Sequence, residues 1–284
     1  MKPKKILNDL QRLLEIQDFK SKEELNEFLK KYQSEGIPEF PEEILNASER
    51  AEDMVYEAYQ SSKTKGIKLA KEALQIDKEC IIAYQYLGER QNNLEQAKTL
   101  YEKGIAVGKK KFGGEYEKEN KGHFWMIHET RPYMSCMFNL SECYYHSSNI
   151  EEAIKILEYL LELNPNDNQG ARYILSSHLL EAKKYLKFEQ LSKAYADDGG
   201  IFFRFNIALY EFIKSGISAQ ANKYMTEAIE YNPFVVPQLN RKTIMRSNSY
   251  AMGSKEEANY YCEYNAKLWK NINGSIQWAK LMNK

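Results

Sequence analysis

The sequence carries no net charge, because 40 lysines and arginines balance 40 aspartates and glutamates. Such a chain produces no broad positive field that would attract phosphate backbones or anionic lipid. It also lacks any apolar run close to the roughly 20 residues that a membrane-spanning helix needs. The opening residues Met1 to Lys5 are not followed by the apolar segment of a signal peptide. We therefore expect no nucleic-acid partner, no membrane partner and a cytoplasmic location.

Motifs that mark redox, metal or catalytic sites are missing as well. The cysteines contain no Cys-x-x-Cys pair, so we expect reduced and mostly buried thiols at Cys80, Cys136, Cys143 and Cys262. No glycine-rich phosphate loop, Gly-x-Ser-x-Gly elbow or His-Glu-x-x-His motif occurs. The sequence thus contains no recognisable motif for phosphoryl or acyl transfer. We expect a protein that is not an enzyme and that holds no cofactor and no metal.

One stretch, HFWMIHETRPYM at residues 123–134, does concentrate residues that could carry chemistry. On a helix, His123 and His128 would lie about 140° apart and would not converge on one ion. Pro132 instead favours a helix that starts near Arg131. A metal-dependent hydrolase built on His123, His128 and Glu129 is therefore the third hypothesis, behind two binding functions. We expect Arg131 to pair with a carboxylate at this junction, and whether it also contacts a partner stays open.

What the sequence does contain is a repeat. Leu163-Asn-Pro165 and Tyr231-Asn-Pro233 lie 68 residues apart, which is twice the period of about 34 residues of the tetratricopeptide repeat. With each proline at the end of a unit, large and small residues alternate as two closely packed antiparallel helices require. These residues are Met137, Leu140, Ser141, Tyr144, Ala153, Leu157 and Leu160 in one unit, and Phe205, Ala208, Phe212, Ala221, Met225 and Ala228 in the other. Only Leu160 and Leu209 are larger than their positions favour.

The pattern predicts an all-α fold, a solenoid of tetratricopeptide-like helical hairpins. Upstream, Tyr84 to Gly104 fit the same register with a shortened connection, whereas the unit from Asn168 to Ala196 is degenerate. Residues 1–40 are predicted to form a non-repeat N-terminal helical cap, in which Ser21 opens a capping box. Residues 41–284 are the predicted repeat domain, closed by a C-terminal capping helix that begins after Ser254.

The distance from Asp77 to Asn164 is 87 residues, which is 19 more than two repeats take, and the surplus falls around residues 108–122. Glycine, lysine and glutamate dominate this segment, so we expect an exposed inserted loop or an extension of a helix. A loop of this length is either functional or mobile, and the sequence favours neither alternative.

The same register locates a candidate binding surface. Four positions of each first helix lie opposite the packed face and would line the concave side of the array. The candidate binding residues are Gln85, Glu89, Phe138, Glu142, Tyr145, Gln169, Arg172, Asn206 and Tyr210. Aromatic rings beside amides and one arginine suit a peptide groove. Two other outcomes stay open: a merely solvated face, or a face filled by the chain's own ends.

Four segments of this chain point to a family. They are Gly122-His-Phe-Trp125, Glu129-Thr-Arg-Pro-Tyr-Met134, the run from Leu163 to Tyr173, and the ending from Ala258 through Trp269 to Trp278. Together they resemble a group of tetratricopeptide-type proteins, mostly bacterial, akin to the suppressor-of-tumorigenicity-seven family. The resemblance spans about residues 45–280. It implies a helical-repeat fold and brings no established activity with it.

The sequence therefore predicts a non-enzymatic scaffold or adaptor that binds a protein or peptide in its concave groove. Binding would use amphipathic and main-chain contacts, and the oligomeric state is left open. The alternative is a sensor for a small ligand or a signalling peptide, since helical arrays can close around such molecules.

Overall fold

A computed structural model describes residues 9–10, 12–14, 16–38, 45–241, 243 and 249–283. Every regular element in these ranges is a helix, which confirms the predicted all-α class. Residues 9–10 and 12–14 are helical. The helices that follow are α1 Lys22–Glu35, α2 Ala47–Gln60, α3 Lys63–Ile76, α4 Ile81–Glu89, α5 Leu94–Phe112, α6 Glu115–Asn120, α7 Arg131–His146, α8 Ile150–Leu163, α9 Ala171–Glu181, α10 Tyr185–Ala194, α11 Ile201–Ser215, α12 Ala219–Tyr231, α13 Val235–Leu239, α14 Lys255–Asn271 and α15 Ser275–Met282.

The helices pack against their neighbours in the chain as pairs. The chain divides into two compact units, residues 1–111 and 112–284, so the predicted boundary at residue 40 falls inside the first unit. In the first unit α2 packs on α3, and α4 contacts both. In the second unit α7 packs on α8 and α11 on α12, while α9 contacts α8, α10 and α11. The assignment of these pairs to the tetratricopeptide class stays a prediction.

The helix starts follow the local sequence signals. The Ser21 hydroxyl accepts a hydrogen bond from the backbone N–H of Glu24 at 3.2 Å. At the start of α14, the Ser254 hydroxyl accepts from the N–H of Glu257 at 3.1 Å, and a Glu257 carboxylate oxygen accepts from the N–H of Gly253 at 2.8 Å. The bonds to Ser21 and Ser254 satisfy donors that the first turn of a helix leaves without an intrahelical partner.

Residues 108–122 are mostly helical. α5 continues through its lysines to Phe112 and α6 follows from Glu115, so the structure shows the helix extension of the two predicted forms. Between them, Gly114 has a φ angle of 64°, a conformation that favours glycine. Lys110 forms an ion pair with Glu79, and the Lys111 ammonium donates to the Glu79 carbonyl at 3.3 Å.

Small residues bring the helices of the first unit close together. A Cβ atom on Gly66 of α3 would lie 1.9 Å from the Tyr86 hydroxyl and 2.7 Å from the carbonyl oxygen of Ala58. A Cβ atom on Gly88 would lie 2.4 Å from the ring of Tyr101. No side chain fits at such distances, so glycine permits this approach of the helix backbones.

Gly66→Ala should lower the free energy of unfolding by about 1–3 kcal/mol, even though alanine favours the helix more than glycine does. The new methyl group must displace the Ala58 carbonyl and strain the hydrogen bond, 3.1 Å long, that this carbonyl accepts from Tyr86. Urea denaturation followed by circular dichroism measures the change. Lys71→Ala, at an exposed position of the same helix, is the control. A Gly66→Ala protein as stable as the wild type would contradict the close approach.

Candidate binding site

The nine predicted binding residues lie on α4, α7 and α11 and on or just before α9. Gln85 and Glu89 belong to the first unit and the other seven to the second. In the first unit the Gln85 amide donates to one Glu89 carboxylate oxygen at 2.8 Å, and the Tyr59 hydroxyl donates to the other at 3.2 Å. The Gln85 and Glu89 side chains therefore already contact each other on α4.

In the second unit the C-terminal helix α14 packs against α9 and α11. From this helix the Tyr264 hydroxyl donates to Glu142 of α7 at 3.3 Å, and the Lys267 ammonium donates to Glu181 at 2.8 Å. Tyr261 and Trp269 on the same helix are completely buried. The chain's own end thus covers part of the face that the sequence assigned to a partner.

A buried hydrogen-bond network fixes this helix. The amide nitrogen of Asn206 lies 2.8 Å from the Ser176 hydroxyl and 3.2 Å from the Ser177 hydroxyl. Its amide oxygen accepts from the Tyr261 hydroxyl at 2.9 Å, and that hydroxyl accepts from the Trp269 indole at 2.8 Å. Because Asn206 is wholly buried and bonded on both sides, it holds the fold together and is closed to a ligand in this structure.

Next to this network, Tyr145 and Lys267 converge on the Glu181 carboxylate. The Tyr145 hydroxyl donates to one oxygen at 2.7 Å and the Lys267 ammonium to the other at 2.8 Å. Burial alone would raise the pKa of Glu181, but these two hydrogen bonds hold that pKa below its usual value. The carboxylate is therefore ionised and fixed in position.

His178 lies underneath, stacked on the Tyr145 ring with centroids 4.1 Å apart and planes 18° apart. Its side chain is buried, and neither ring nitrogen has a hydrogen-bond partner within the described residues. Burial lowers the pKa of His178 to about 4, with Glu181 opposing the shift and His146 and Lys267 adding to it. The imidazole is thus neutral near pH 7 and acts as an aromatic core residue.

Arg172 connects two loops. Its guanidinium pairs with Asp167 at 2.9 Å and with Asp198 at 2.6 Å. Asp167 also accepts from the backbone N–H groups of Ala171 and Arg172 and so caps α9. Burial opposes ionisation of Asp198, but the bond from Arg172 holds the pKa of Asp198 below its usual value. These contacts commit Arg172 to bracing the loops before α9 and α11.

Of the nine predicted binding residues, Asn206 is buried, Glu89 is exposed and the other seven are half-buried, among them Phe138, Gln169 and Tyr210. The Tyr210 ring packs on Phe188 and Tyr185, with centroids 5.2 and 5.8 Å away. Its hydroxyl donates to Glu189 at 2.5 Å. Tyr210 thus lies beside Tyr185, which lines a cleft that the sequence did not predict.

The cleft has a volume of about 510 Å³ and lies among α9, α11 and α14. Its apolar walls are Leu180, Phe212, Ile213 and Leu268. Polar side chains in the lining include Glu181, Asn271 and Asn273. A concave surface with apolar walls and a few polar groups is the usual form of a binding site.

Three helices end at this cleft. Glu181, Gly216 and Ile272 line it, and they are the last residue of α9 and the C-caps of α11 and α14. The last carbonyl groups of a helix have no intrahelical partner and carry partial negative charge. The negative ends of three helix dipoles therefore meet at the cleft.

Two aliphatic side chains are exposed beside the lining. Leu186, which follows Tyr185, is 69% exposed, and Ile217, which follows Gly216, is 66% exposed. We call the pair Leu186 and Ile217 the rim. Aliphatic groups this exposed gain free energy when a partner removes them from water.

The stretch at residues 123–134 forms two short 3-10 turns followed by α7. α7 starts at Arg131 with Pro132 in its first turn, as predicted. The Arg131 guanidinium donates to the Trp125 carbonyl at 2.9 Å and lies 5.4 Å from the centre of the Trp125 ring. Among the described residues, Arg131 thus contacts this carbonyl and this ring. The predicted ion pair with a carboxylate is wrong for that part of the chain. Across those residues, no three His, Cys, Asp or Glu side chains are grouped as metal ligands.

Sequence reasoning missed the cleft because its walls come from helix ends far apart in the chain. A local signal exists for each end, namely the break after Glu181, Gly216 and the pair Asn273-Gly274. These signals mark where helices stop, and they carry no information on whether the three ends meet.

No protein-family model matches the chain, and no curated protein matches its sequence. In the part of the chain that the structure describes, no helix combines the length and the apolar character needed to cross a bilayer. All four cysteines are buried and none is joined in a disulfide, as predicted.

Tyr261→Phe should lower the free energy of unfolding by about 1–3 kcal/mol, because it leaves Asn206 and Trp269 each with an unpaired buried group. Chemical denaturation monitored by tryptophan fluorescence measures this loss. Tyr260→Phe, the neighbouring change on α14, removes a hydroxyl outside the network and serves as the control. Equal effects of the two substitutions would contradict a role for the network in holding α14.

His178 should make stability depend on pH. Its pKa is about 4 in the folded chain and about 6.5 when unfolded, so only the unfolded chain binds a proton between these values. The stability due to neutral His178 is complete above about pH 6.5 and is lost as the pH falls towards 4, by up to about 1.4 kcal/mol per pH unit.

His178→Phe should remove this slope, since phenylalanine keeps the stacked ring and does not titrate. Unfolding free energies at pH 7, 6 and 5 measure it, with the exposed His146→Gln as the control. A slope that persists in His178→Phe would contradict the assignment to this histidine.

Proposed function

We propose that this chain is a non-enzymatic, helical-repeat scaffold or adaptor that binds a segment of another protein. The segment would occupy the cleft at the ends of α9, α11 and α14 and cover the rim. One observation carries the proposal: the structure has an open cleft with apolar walls, and two of its lining residues, Tyr185 and Gly216, are each followed in the chain by a strongly exposed aliphatic side chain. Apolar anchors entering such a pocket supply most of the binding energy in protein complexes.

The docking of α14 supports the same proposal. Glu142, Asn206 and Glu181 bind a helix in cis through hydrogen bonds from Tyr264, Tyr261 and Lys267. A surface that accepts one amphipathic helix has the polar and apolar groups that helix recognition requires. The partner segment would extend this arrangement past the end of α14.

The finer assignments belong to the proposal as well. Successive helix pairs, together with the close approach at Gly88, support a tetratricopeptide-like repeat. Four buried cysteines that form no disulfide support a cytoplasmic location, since disulfides are rare there.

Ile217→Asp and Leu186→Asp should each weaken binding of the partner by about 1–2 kcal/mol, which is about five- to thirtyfold in Kd. The change places a charge where an apolar group of the partner would lie. Affinity capture from the native lysate, quantified against the wild type, measures the loss.

Met126→Asp is the matched control, because Met126 is 71% exposed and lies outside the cleft lining. A photo-crosslinking residue at position 217 should label the captured partner, and the same residue at position 126 should not. Equal capture by the rim variants and the control would overturn the proposal. Phe138→Ala and Tyr210→Ala extend the test to half-buried residues of the predicted face.

A sensor for a small ligand is the second candidate, because the volume of about 510 Å³ lies in the range of small-molecule sites. A ligand-induced rise in melting temperature that Phe212→Ala abolishes would favour it. Labelling of a protein at position 217 would favour the scaffold.

A further inference from the structure

We infer that the bound segment enters the cleft with a positively charged side chain, a lysine or an arginine, between apolar residues that cover the rim. This inference rests on the proposed function and names the chemistry of the partner.

The first ground is the carboxylate in the wall. Glu181 lines the cleft, and its side chain is only 18% exposed. A hydrogen bond from the Tyr145 hydroxyl holds one of its oxygens, which orients the carboxylate. A partly buried, oriented carboxylate attracts a cation more strongly than a mobile surface carboxylate does.

The second ground is the convergence of helix ends. The C-terminal ends of α9, α11 and α14 add partial negative charge to the same cleft. An ammonium or guanidinium group donates three to five hydrogen bonds and accepts none. Such a group therefore matches the negative ends of these helices, which favour a carboxylate or phosphate less.

The third ground is Lys267, which shows that an ammonium group fits against Glu181. Its nitrogen lies 2.8 Å from the carboxylate, while its side chain remains 68% exposed. An exposed pair of this kind is weak. A cation brought by the partner can take this place, and Lys267 is then free to turn into solvent. Lys267 therefore competes with the cation of the partner for the Glu181 carboxylate.

The apolar walls of the cleft also suit the stem of a lysine or arginine side chain. Phe212 and Tyr185 place aromatic rings in the lining, and Leu268 adds an aliphatic surface. Lysine and arginine bury their apolar stems along such surfaces and interact favourably with aromatic faces. Lys183 also lines the cleft, but it is exposed, so water screens its repulsion.

Three short fluorescent peptides test the inference on the full chain. They share two leucines that flank a central lysine, norleucine or glutamate, and their ends are acetylated and amidated. The lysine peptide should bind about tenfold more tightly than the norleucine peptide, and the glutamate peptide more weakly than both. Fluorescence anisotropy at low salt measures the three Kd values.

Two substitutions should act in opposite directions on the lysine peptide. Glu181→Gln should weaken its binding about tenfold and leave the norleucine peptide unchanged, because the amide still accepts from Tyr145 but carries no charge. Lys267→Met should strengthen it about threefold by removing the competitor. Circular dichroism and the melting temperature of each variant check that the fold is intact.

The outcomes separate the two proposals. If the glutamate or norleucine peptide binds as tightly as the lysine peptide, or if Lys267→Met weakens the lysine peptide, the cationic inference is overturned and the scaffold function stands. If no peptide binds, the inference is overturned, and crosslinking at position 217 decides the scaffold function separately.

Discussion

The hydroxyl group of Tyr261 is the contact on which the second unit depends, because it connects the C-terminal helix to the helix pairs. It donates to Asn206 on α11 and accepts from Trp269 on α14. Asn206 in turn reaches Ser176 and Ser177 on α9. A buried polar chain of this kind is costly unless every member is bonded, so it admits one position of α14. That position decides which part of the molecule remains open.

The part of the second unit that remains open lies at the C-terminal ends of α9, α11 and α14. With α14 lying over α9 and α11, the side chains of Glu142 and Asn206 serve the fold, and the concave face predicted for a peptide is partly filled from within. The cleft arises where α14 stops, at Asn271, beside Gly216 and Glu181. Three negative helix ends and one fixed carboxylate meet there, while Leu186 and Ile217 leave apolar groups in water. Negative charge and exposed apolar side chains are thus found at the same ends of these helices.

Features that rest on neighbours in the chain could be predicted from the sequence. Pro132 indicated the start of α7, and Ser254 with Glu257 indicated the start of α14, because helix caps use residues within one turn. Gly88 lies against the ring of Tyr101, and both residues belong to the stretch from Tyr84 to Gly104 that fits the repeat register. The register also placed Glu142, Tyr145 and Tyr210 on first helices. It could not show that His178 stacks on Tyr145, because the two residues belong to different helix pairs.

The sequence by itself determined the helical class, the helix starts and the small residues at close helix contacts, because local hydrogen bonds and side-chain size decide these. Only the tertiary structure decided that α14 covers the first-helix face and that the ends of α9, α11 and α14 form a cleft. Glu181 and Lys267 are 86 residues apart in the chain. Their contact depends on the packing of whole helices, and no periodicity within either segment encodes it.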